Sequence, residues 1–333
     1  MYSEFSNDSD GVSRPPVLIL GGSGFIGSRL AAVLTDKGIP IRIGDQKPSA
    51  LFPIAWQHCD VRDRNTLRCL CQGAGTIVNL AAEHRDDVRP DSLYYETNVK
   101  GASEVCASAR DAGISKIVFT SSVAVYGFHS RPVDETGSLV PFNSYGRTKL
   151  EAEGIYSAWA EEDPSRTLVV IRPTVVFGEG NRGNVYNLMH QIATGKFMMV
   201  GSGANRKSMA YVENVADFLV HVLSLGSGTH IFNYVDGPDL DMNTLVALIN
   251  RSLNRRSDQH RRVPRTVAMA GGFLLDGIAR ITGRKFPVSA IRVRKFCEST
   301  QFLANRLNDT GFHPRYSLEE ALARTVRTEF SAS

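Results

Sequence analysis

Two hydroxyl-bearing stretches and one lysine are the residues of this chain whose types and spacing suit proton transfer. Ser121-Ser122 closes the apolar run Lys116-Ile117-Val118-Phe119-Thr120, and Tyr145-Gly146-Arg147-Thr148-Lys149 opens a helical pattern. Residues four apart share a helix face, so Tyr145 and Lys149 point the same way. A tyrosine is a weak base at its ordinary pKa near ~10. A neighbouring ammonium favours the phenolate and brings it toward working range. A serine hydroxyl opposite, Ser122, would hold the oxygen that gains or loses the proton. The chemistry is proton transfer at a hydroxyl, coupled to a group that takes the hydride. Tyr-x-x-x-Lys occurs on many ordinary helices, so it gains meaning only beside a cofactor site.

Such a site is legible upstream. Val17-Leu18-Ile19-Leu20 is a continuous apolar run, as in a buried parallel strand. It enters Gly21-Gly22-Ser23-Gly24-Phe25-Ile26-Gly27, and a helix is expected from Ser28 to Asp36. Glycines at 21, 24 and 27 let the backbone turn tightly and let a pyrophosphate approach a helix N-terminus. The strand before and the helix after are the context that gives the triplet weight. Ile41 to Asp45 reads as the second strand and ends in an acid. Asp45 there would accept hydrogen bonds from ribose hydroxyls and repel a 2′-phosphate, which favours NAD over NADP.

The elements that must position these residues alternate. Trp56 to Val61 reads as a third strand carrying Asp60 toward the adenine, Thr76 to Ala82 as a fourth, and Leu168 to Ile171 as a sixth after the Lys116–Thr120 strand. Helices are expected over Asp63–Gln72, Tyr95–Gly113 and Tyr145–Glu162. This alternation predicts an α/β fold, a Rossmann-type doubly wound parallel sheet over residues 17–178. Glu83, His84, Arg85, Asp86 and Asp87 follow the fourth strand, at the end of an α/β sheet where ligands bind. From 179 to 333 the pattern loosens into a smaller, discontinuous substrate lobe, with some segments returning to the first domain. In it Gly201 to Ser208 reads as a loop carrying Arg206 and Lys207.

Composition sets the remaining bounds. The 333 residues are 42% hydrophobic, enough for one large core and a smaller one. No apolar run reaches the ~18 residues of a membrane span. Residues 1–16 are polar and acidic and read as a disordered lead-in. Five cysteines match no metal spacing, so no metal is expected, and they suit a reducing cytoplasm. Between Arg251 and Lys295 twelve Lys or Arg face two acids. That block is +10 in a chain of net +4, which points to a local anionic partner rather than to nucleic acid. Within it Val263 to Thr282 joins apolar bulk to basic residues, the pattern of a helix at an anionic membrane surface or of an ordinary packing helix.

Taken together, these motifs resemble the extended short-chain dehydrogenase/reductases that act on nucleotide sugars. The resemblance rests on the glycine loop, Asp45, Asp60-Val61, Leu80-Ala81-Ala82, Asn98-Val99-Lys100-Gly101, the Ser121–Gly127 stretch and Tyr145-x-x-x-Lys149, in that order. It implies an NAD contacted by Gly21, Ser23, Gly24, Phe25, Ile26, Gly27, Asp45, Asp60, Val61, Leu80, Ala81, Ala82, Asn98, Tyr145, Lys149 and Pro173. It implies Tyr145 as base or acid, Ser122 on the reacting oxygen, and Lys149 on the nicotinamide ribose. It also implies a homodimer through the helices that follow Asn98 and Tyr145.

Departures from the family narrow the reaction. Its sugar dehydratases carry Asp-Glu directly after the hydroxyl equivalent to Ser122, where this chain has Val123 and Ala124. Carbon-4 epimerisation or simple oxidation and reduction remain. The Arg-Tyr-Phe-Asn segment of UDP-sugar epimerases reads Arg172-Pro173-Thr174-Val175 here, and their Arg-Asp reads Lys207-Ser208. The stretches Ala81–Val88, Gly180–Leu188, Lys207–Val212 and Tyr234–Asp236 are similar to those of a bacterial subgroup. Its members interconvert N-acetylglucosamine and N-acetylgalactosamine on undecaprenyl diphosphate. That resemblance implies a lipid-linked sugar diphosphate, met by Glu83, His84, Arg85, Ser122, Val123, Ala124, Tyr145, Asn184, Lys207 and Arg292. It also gives the basic block a reason to sit on the inner face of the cytoplasmic membrane, with O-antigen as destination. A UDP-N-acetylglucosamine 4-epimerase and a 4-keto sugar reductase remain as alternatives.

Overall fold

A computed structural model describes residues 14–85, 88–256, 261–282, 293 and 296–330 of the chain. The expected lead-in, apart from residues 14–16, and the candidates Asp86, Asp87 and Arg292 lie outside the described residues.

The apolar run that opens the chain forms β1 (Val17–Leu20), and α1 (Phe25–Asp36), β2 (Ile41–Asp45) and β3 (Trp56–His58) follow. Then come α2 (Arg64–Cys71), β4 (Thr76–Asn79), α3 (Ser92–Tyr94), a π-helical stretch (Tyr95–Lys100) and α4 (Gly101–Asp111). β5 (Lys116–Thr120), a 3₁₀ turn (Val123–Tyr126), α5 (Ser144–Glu161) and β6 (Thr167–Pro173) complete the alternating half. These strands, with β10 (Gly228–Tyr234) from the second half, build a seven-stranded parallel sheet in the order β10-β6-β5-β4-β1-β2-β3. The order in which strands are added reverses between β1 and β4, and such a switch point opens a crevice at the strands' C-terminal ends.

Strand residues alternate between the two faces. Leu18, Leu20, Ile77, Phe119 and Leu168 pack with Leu67 and Leu70 of α2, Val105 of α4 and Tyr156 and Trp159 of α5. Ile19, Ile43, Val78, Val118 and Val169 face the other way, onto Leu30 and Leu34 of α1 and Phe218 and Leu219 of α7 (Val212–His221). Each such buried Leu, Ile or Val contributes roughly 1.5–3 kcal/mol relative to exposure.

The second lobe has its own core of Phe177, Met189, Met199, Tyr211, Val246 and Leu322. It is built on a three-stranded sheet in the order β11 (Asp236–Asp241), β9 (Arg206–Tyr211), β7 (Val175–Phe177). β8 (Met198–Val200) and β12 (Arg261–Val263) pair separately. Helices α6 (Asn184–Ala193), α8 (Met242–Ser252), α9 (Arg265–Thr282) and Leu318–Phe330 accompany them.

Several boundaries differ from expectation. Ser28 donates its N–H to the Gly24 carbonyl, so α1 begins at Phe25, inside the glycine motif. β3 stops at His58, and Asp60 lies two residues beyond it. β4 stops at Asn79, because Leu80 makes a last bond to Leu20 before the chain turns away, leaving Leu80–Ala82 irregular. Arg206 and Lys207 are not on a loop: Lys207 pairs with Leu240 and Arg206 with Asp241 in antiparallel strands.

Candidate functional site

Three consecutive residues, Thr120 at the end of β5 and Ser121 and Ser122 just after it, each meet α5. The Tyr145 phenol is directed toward the Ser122 side chain. Lys149, one turn further, donates from Nζ to the Thr120 carbonyl at 2.7 Å and lies 4.6 Å from the Phe119 ring centroid. Ser121 donates to Glu153, a turn further still. Asn143 caps the helix by accepting from the Gly146 N–H at 2.8 Å, which fixes Tyr145 in the first turn. Ser122 also accepts from the Ala124 N–H at 3.1 Å and so starts the 3₁₀ turn. Val123 and Ala124 fill that turn, so no carboxylate stands next to Ser122.

The electrostatics differ from the simple expectation. Tyr145 is pushed up to about 12 by burial, with the Ser122 hydrogen bond opposing. Lys149 is pushed down to about 7 by burial, with the Glu153 charge opposing. Its ammonium is directed at the Thr120 carbonyl, and desolvation dominates both groups.

The glycine turn presents backbone only. Gly21 has φ +77°, and a Cβ there would sit 2.8 Å from the Ala81 nitrogen. A Cβ on Gly27 would sit 2.5 Å from the Gly21 oxygen. Gly24, the N-cap of α1, supplies no side-chain acceptor, and no acid lies in the first turn. The helix dipole and N–H groups are thus left to an anion, as a dinucleotide pyrophosphate requires. Asp45 accepts from the Ser23 N–H and the Lys47 N–H, each at 3.0 Å, which places its negative charge beside the turn. A ribose diol suits that charge and a 2′-phosphate does not. These residues fit NAD.

The other expected cofactor residues are placed as follows. Phe25 and Ile26 open α1. Asp60 is gripped by Arg62, whose hydrogen bonds lower its pKa, and Val61 follows it into the core. Ala81 and Ala82 follow β4, with Ala81 donating to Asn79 at 3.0 Å. Pro173 ends β6, buried. Asn98 is buried in the π-helical stretch. Its amide donates to the Glu83 carbonyl at 3.1 Å and Thr148 at 3.0 Å, and accepts from the Glu83 N–H at 2.9 Å. It holds the loop after β4 against α5.

The expected substrate residues sit on separate elements. Glu83 is paired with Arg85 at 3.2 Å. Burial raises the Glu83 pKa, but the bonds from Arg85 bring it below its ordinary value. His84 and Arg85 are exposed, and exposed Asn184 begins α6. Lys207 donates to the Glu298 carbonyl at 2.5 Å, and burial lowers its pKa.

Sequence reasoning missed a buried polar chain beneath the site. Arg172 bonds both Glu153 oxygens, at 3.0 and 2.6 Å, and donates to the Tyr126 hydroxyl at 2.8 Å. Tyr126 donates to Asn233 at 2.8 Å, whose N–H meets Glu135 at 3.0 Å. One signal for it was available, since Tyr145, Lys149 and Glu153 continue the same spacing of four along one helix face.

A doubly wound parallel sheet, a side-chain-free glycine turn backed by an acid, and a Tyr-Lys helix over a serine define an enzyme that works with a nicotinamide dinucleotide. The chain belongs to the NAD dependent epimerase/dehydratase family, which matches residues 17–234, and NAD is its cofactor. Over 317 residues it is 47% identical to the N-acetyl-alpha-D-glucosaminyl-diphospho-ditrans,octacis-undecaprenol 4-epimerase of Escherichia coli O157:H7. That match covers 94% of this chain and 95% of that protein. UDP-glucose 4-epimerase of Vibrio cholerae is 27% identical over 72% of this chain and 76% of its own. UDP-glucose 4-epimerase of Thermus thermophilus, solved in complex with NAD, is similar in fold. Its TM-score is 0.73 at 18% identity, over 96% of this chain and 99% of that one.

Proposed function

We propose that the chain interconverts N-acetylglucosamine and N-acetylgalactosamine on undecaprenyl diphosphate, by epimerisation at carbon 4 through a 4-keto intermediate. The observation that carries this reading is the similarity to the E. coli 4-epimerase over nearly the whole of both chains. The site supports it chemically. Tyr145, as the phenolate that an adjacent ammonium such as Lys149 favours, takes the proton of the carbon-4 hydroxyl and later returns it, while Ser122 holds the same oxygen. Bound NAD supplies the acceptor and donor of the hydride. Val123 and Ala124 offer no acid for elimination, so the keto sugar is reduced again on its other face.

Residues 17–178 hold the cofactor in this reading, and the lobe from 179 onward meets the sugar diphosphate. The glycine turn takes the pyrophosphate of NAD, Asp45 the adenosine ribose, and Lys149 the nicotinamide ribose. Asn98 acts through the Glu83 loop. Glu83, Arg85, Asn184 and Lys207 line the substrate path, with Arg292 a further candidate for its diphosphate. The protein works as a homodimer in the cytoplasm, at the inner face of the membrane that holds the lipid carrier. Its product feeds O-antigen or a related lipopolysaccharide glycan.

Purified protein supplied with NAD and either lipid-linked or UDP-linked N-acetylglucosamine tests this. The expected outcome is interconversion of the lipid-linked sugar with no net NADH formed or consumed. Turnover of the UDP-sugar alone would leave the reading as a UDP-N-acetylglucosamine 4-epimerase. Stoichiometric NADH consumption would make the enzyme a keto-sugar reductase instead.

A further inference from the structure

Glu153 has no part in the chemistry described so far, yet it is almost fully buried and charged groups converge on it. Its carboxylate accepts from the Ser121 hydroxyl and takes both Nε and a terminal nitrogen of Arg172. Arg172 is itself 2% exposed. Removing two such ions from water is costly, and a hydrophobic pair of similar volume often serves stability as well. Stability alone is therefore a weak reason for this pair. Its position suggests another. Glu153 stands one helical turn from Lys149 and two from Tyr145, on their face of α5. Through Ser121 it grips the residue before Ser122.

We propose that Glu153, anchored by Arg172, is a positioning residue of the proposed epimerase site: it fixes the Ser121–Ser122 turn and sets the electrostatic field at Lys149. The charged or titratable groups around Lys149 are Tyr145 and Glu153 on its own helix. Arg172 from β6 and Tyr126 from the turn after β5 stand behind Glu153, while β5 presents the Thr120 carbonyl and the Phe119 ring. Glu153 is the charge that raises the proton affinity of Lys149 against the opposing effect of burial. Without it Lys149 loses its proton at lower pH. The Arg172 guanidinium also donates to Tyr126, so the same pair ties the 3₁₀ turn after Ser122 to β10 through Asn233.

The inference rests on the epimerase reading for its kinetic arm only. The test is Glu153→Gln, followed by NMR titration of Lys149 in NAD-free protein and by kcat and KM against pH. The Lys149 midpoint is expected to fall by roughly one pH unit. kcat is expected to fall about tenfold at unchanged KM, and its high-pH limb to move down with the Lys149 midpoint. Glu153→Asp should recover part of both shifts. Glu153→Gln leaves Arg172 buried without a counter-ion, so the double variant Glu153→Gln/Arg172→Gln is the second arm, with the same direction expected. A folded variant whose Lys149 midpoint and pH profile stay at the wild-type position overturns the inference. The titration decides it even where wild-type protein turns over neither donor, an outcome that would sink the epimerase reading alone.

Discussion

Tyr145 and Lys149 are shifted in opposite directions by one cause. Burial disfavours the charged form of each, so the phenol is held neutral and the ammonium is made easier to deprotonate. Removing the Tyr145 hydroxyl leaves the helix cap, the Lys149–Thr120 bond and the glycine turn untouched. Tyr145→Phe is therefore expected to lower turnover by at least ~10²-fold while NAD binds as before. Activity assays beside NAD-binding fluorescence check this, and full activity in the variant would defeat the role given to Tyr145.

At the scale of elements, the site depends on two close approaches that tolerate no side chain. In the first, α1 meets the turn after β1 at Gly27. The Gly21 oxygen lies 2.5 Å and the Gly22 Cα 2.6 Å from where a Cβ would stand. Backbone atoms cannot give way as a flexible side chain can. Gly27→Ala is expected to cost about 1–3 kcal/mol in denaturant melts and to weaken NAD binding. Gly154 is the matched contrast, exposed within α5 with nothing within 4 Å of its would-be Cβ. Gly154→Ala is expected to stabilise by about 0.5–1 kcal/mol and leave NAD binding alone. In the second close approach, α5 meets the 3₁₀ turn at Gly146, whose Cβ would stand 2.5 Å from the Ala124 oxygen. That contact brings Tyr145 down onto Ser122.

For the whole molecule, charge and apolar surface are gathered in one region. Val267, Phe273 and Leu274 of α9 are each more than half exposed, beside exposed Arg261, Arg262 and Arg265. Among the described residues no helix is long and apolar enough to cross a membrane. An apolar face flanked by cations suits the surface of an anionic bilayer. The protein is expected to cosediment with vesicles containing anionic phospholipid, less so at high salt, and Phe273→Asp/Leu274→Asp to weaken that binding. Equal sedimentation with neutral and anionic vesicles would remove the electrostatic part of the argument.

Much of this protein was legible from local pattern. The apolar run into a glycine triplet, the acid ending β2 and the Tyr-Lys spacing named the α/β fold, the NAD cofactor and the family, because each depends on residues close in sequence. The bounds of β5 were likewise readable from its short apolar run. Only the tertiary structure decided what lies between distant segments. β10 joins the main sheet beside β6, although it comes after much of the second lobe. Arg206 and Lys207 belong to a strand because their partners, Asp241 and Leu240, lie far along the chain. Burial is the largest cause of the shifts of Tyr145 and Lys149, and it is a quantity that no spacing encodes. The chain from Ser121 through Glu153, Arg172 and Tyr126 to Asn233 joins separate strands, a helix and a turn by hydrogen bonds over long separations. Periodicity tells which face a residue occupies, and folding alone tells what that face meets.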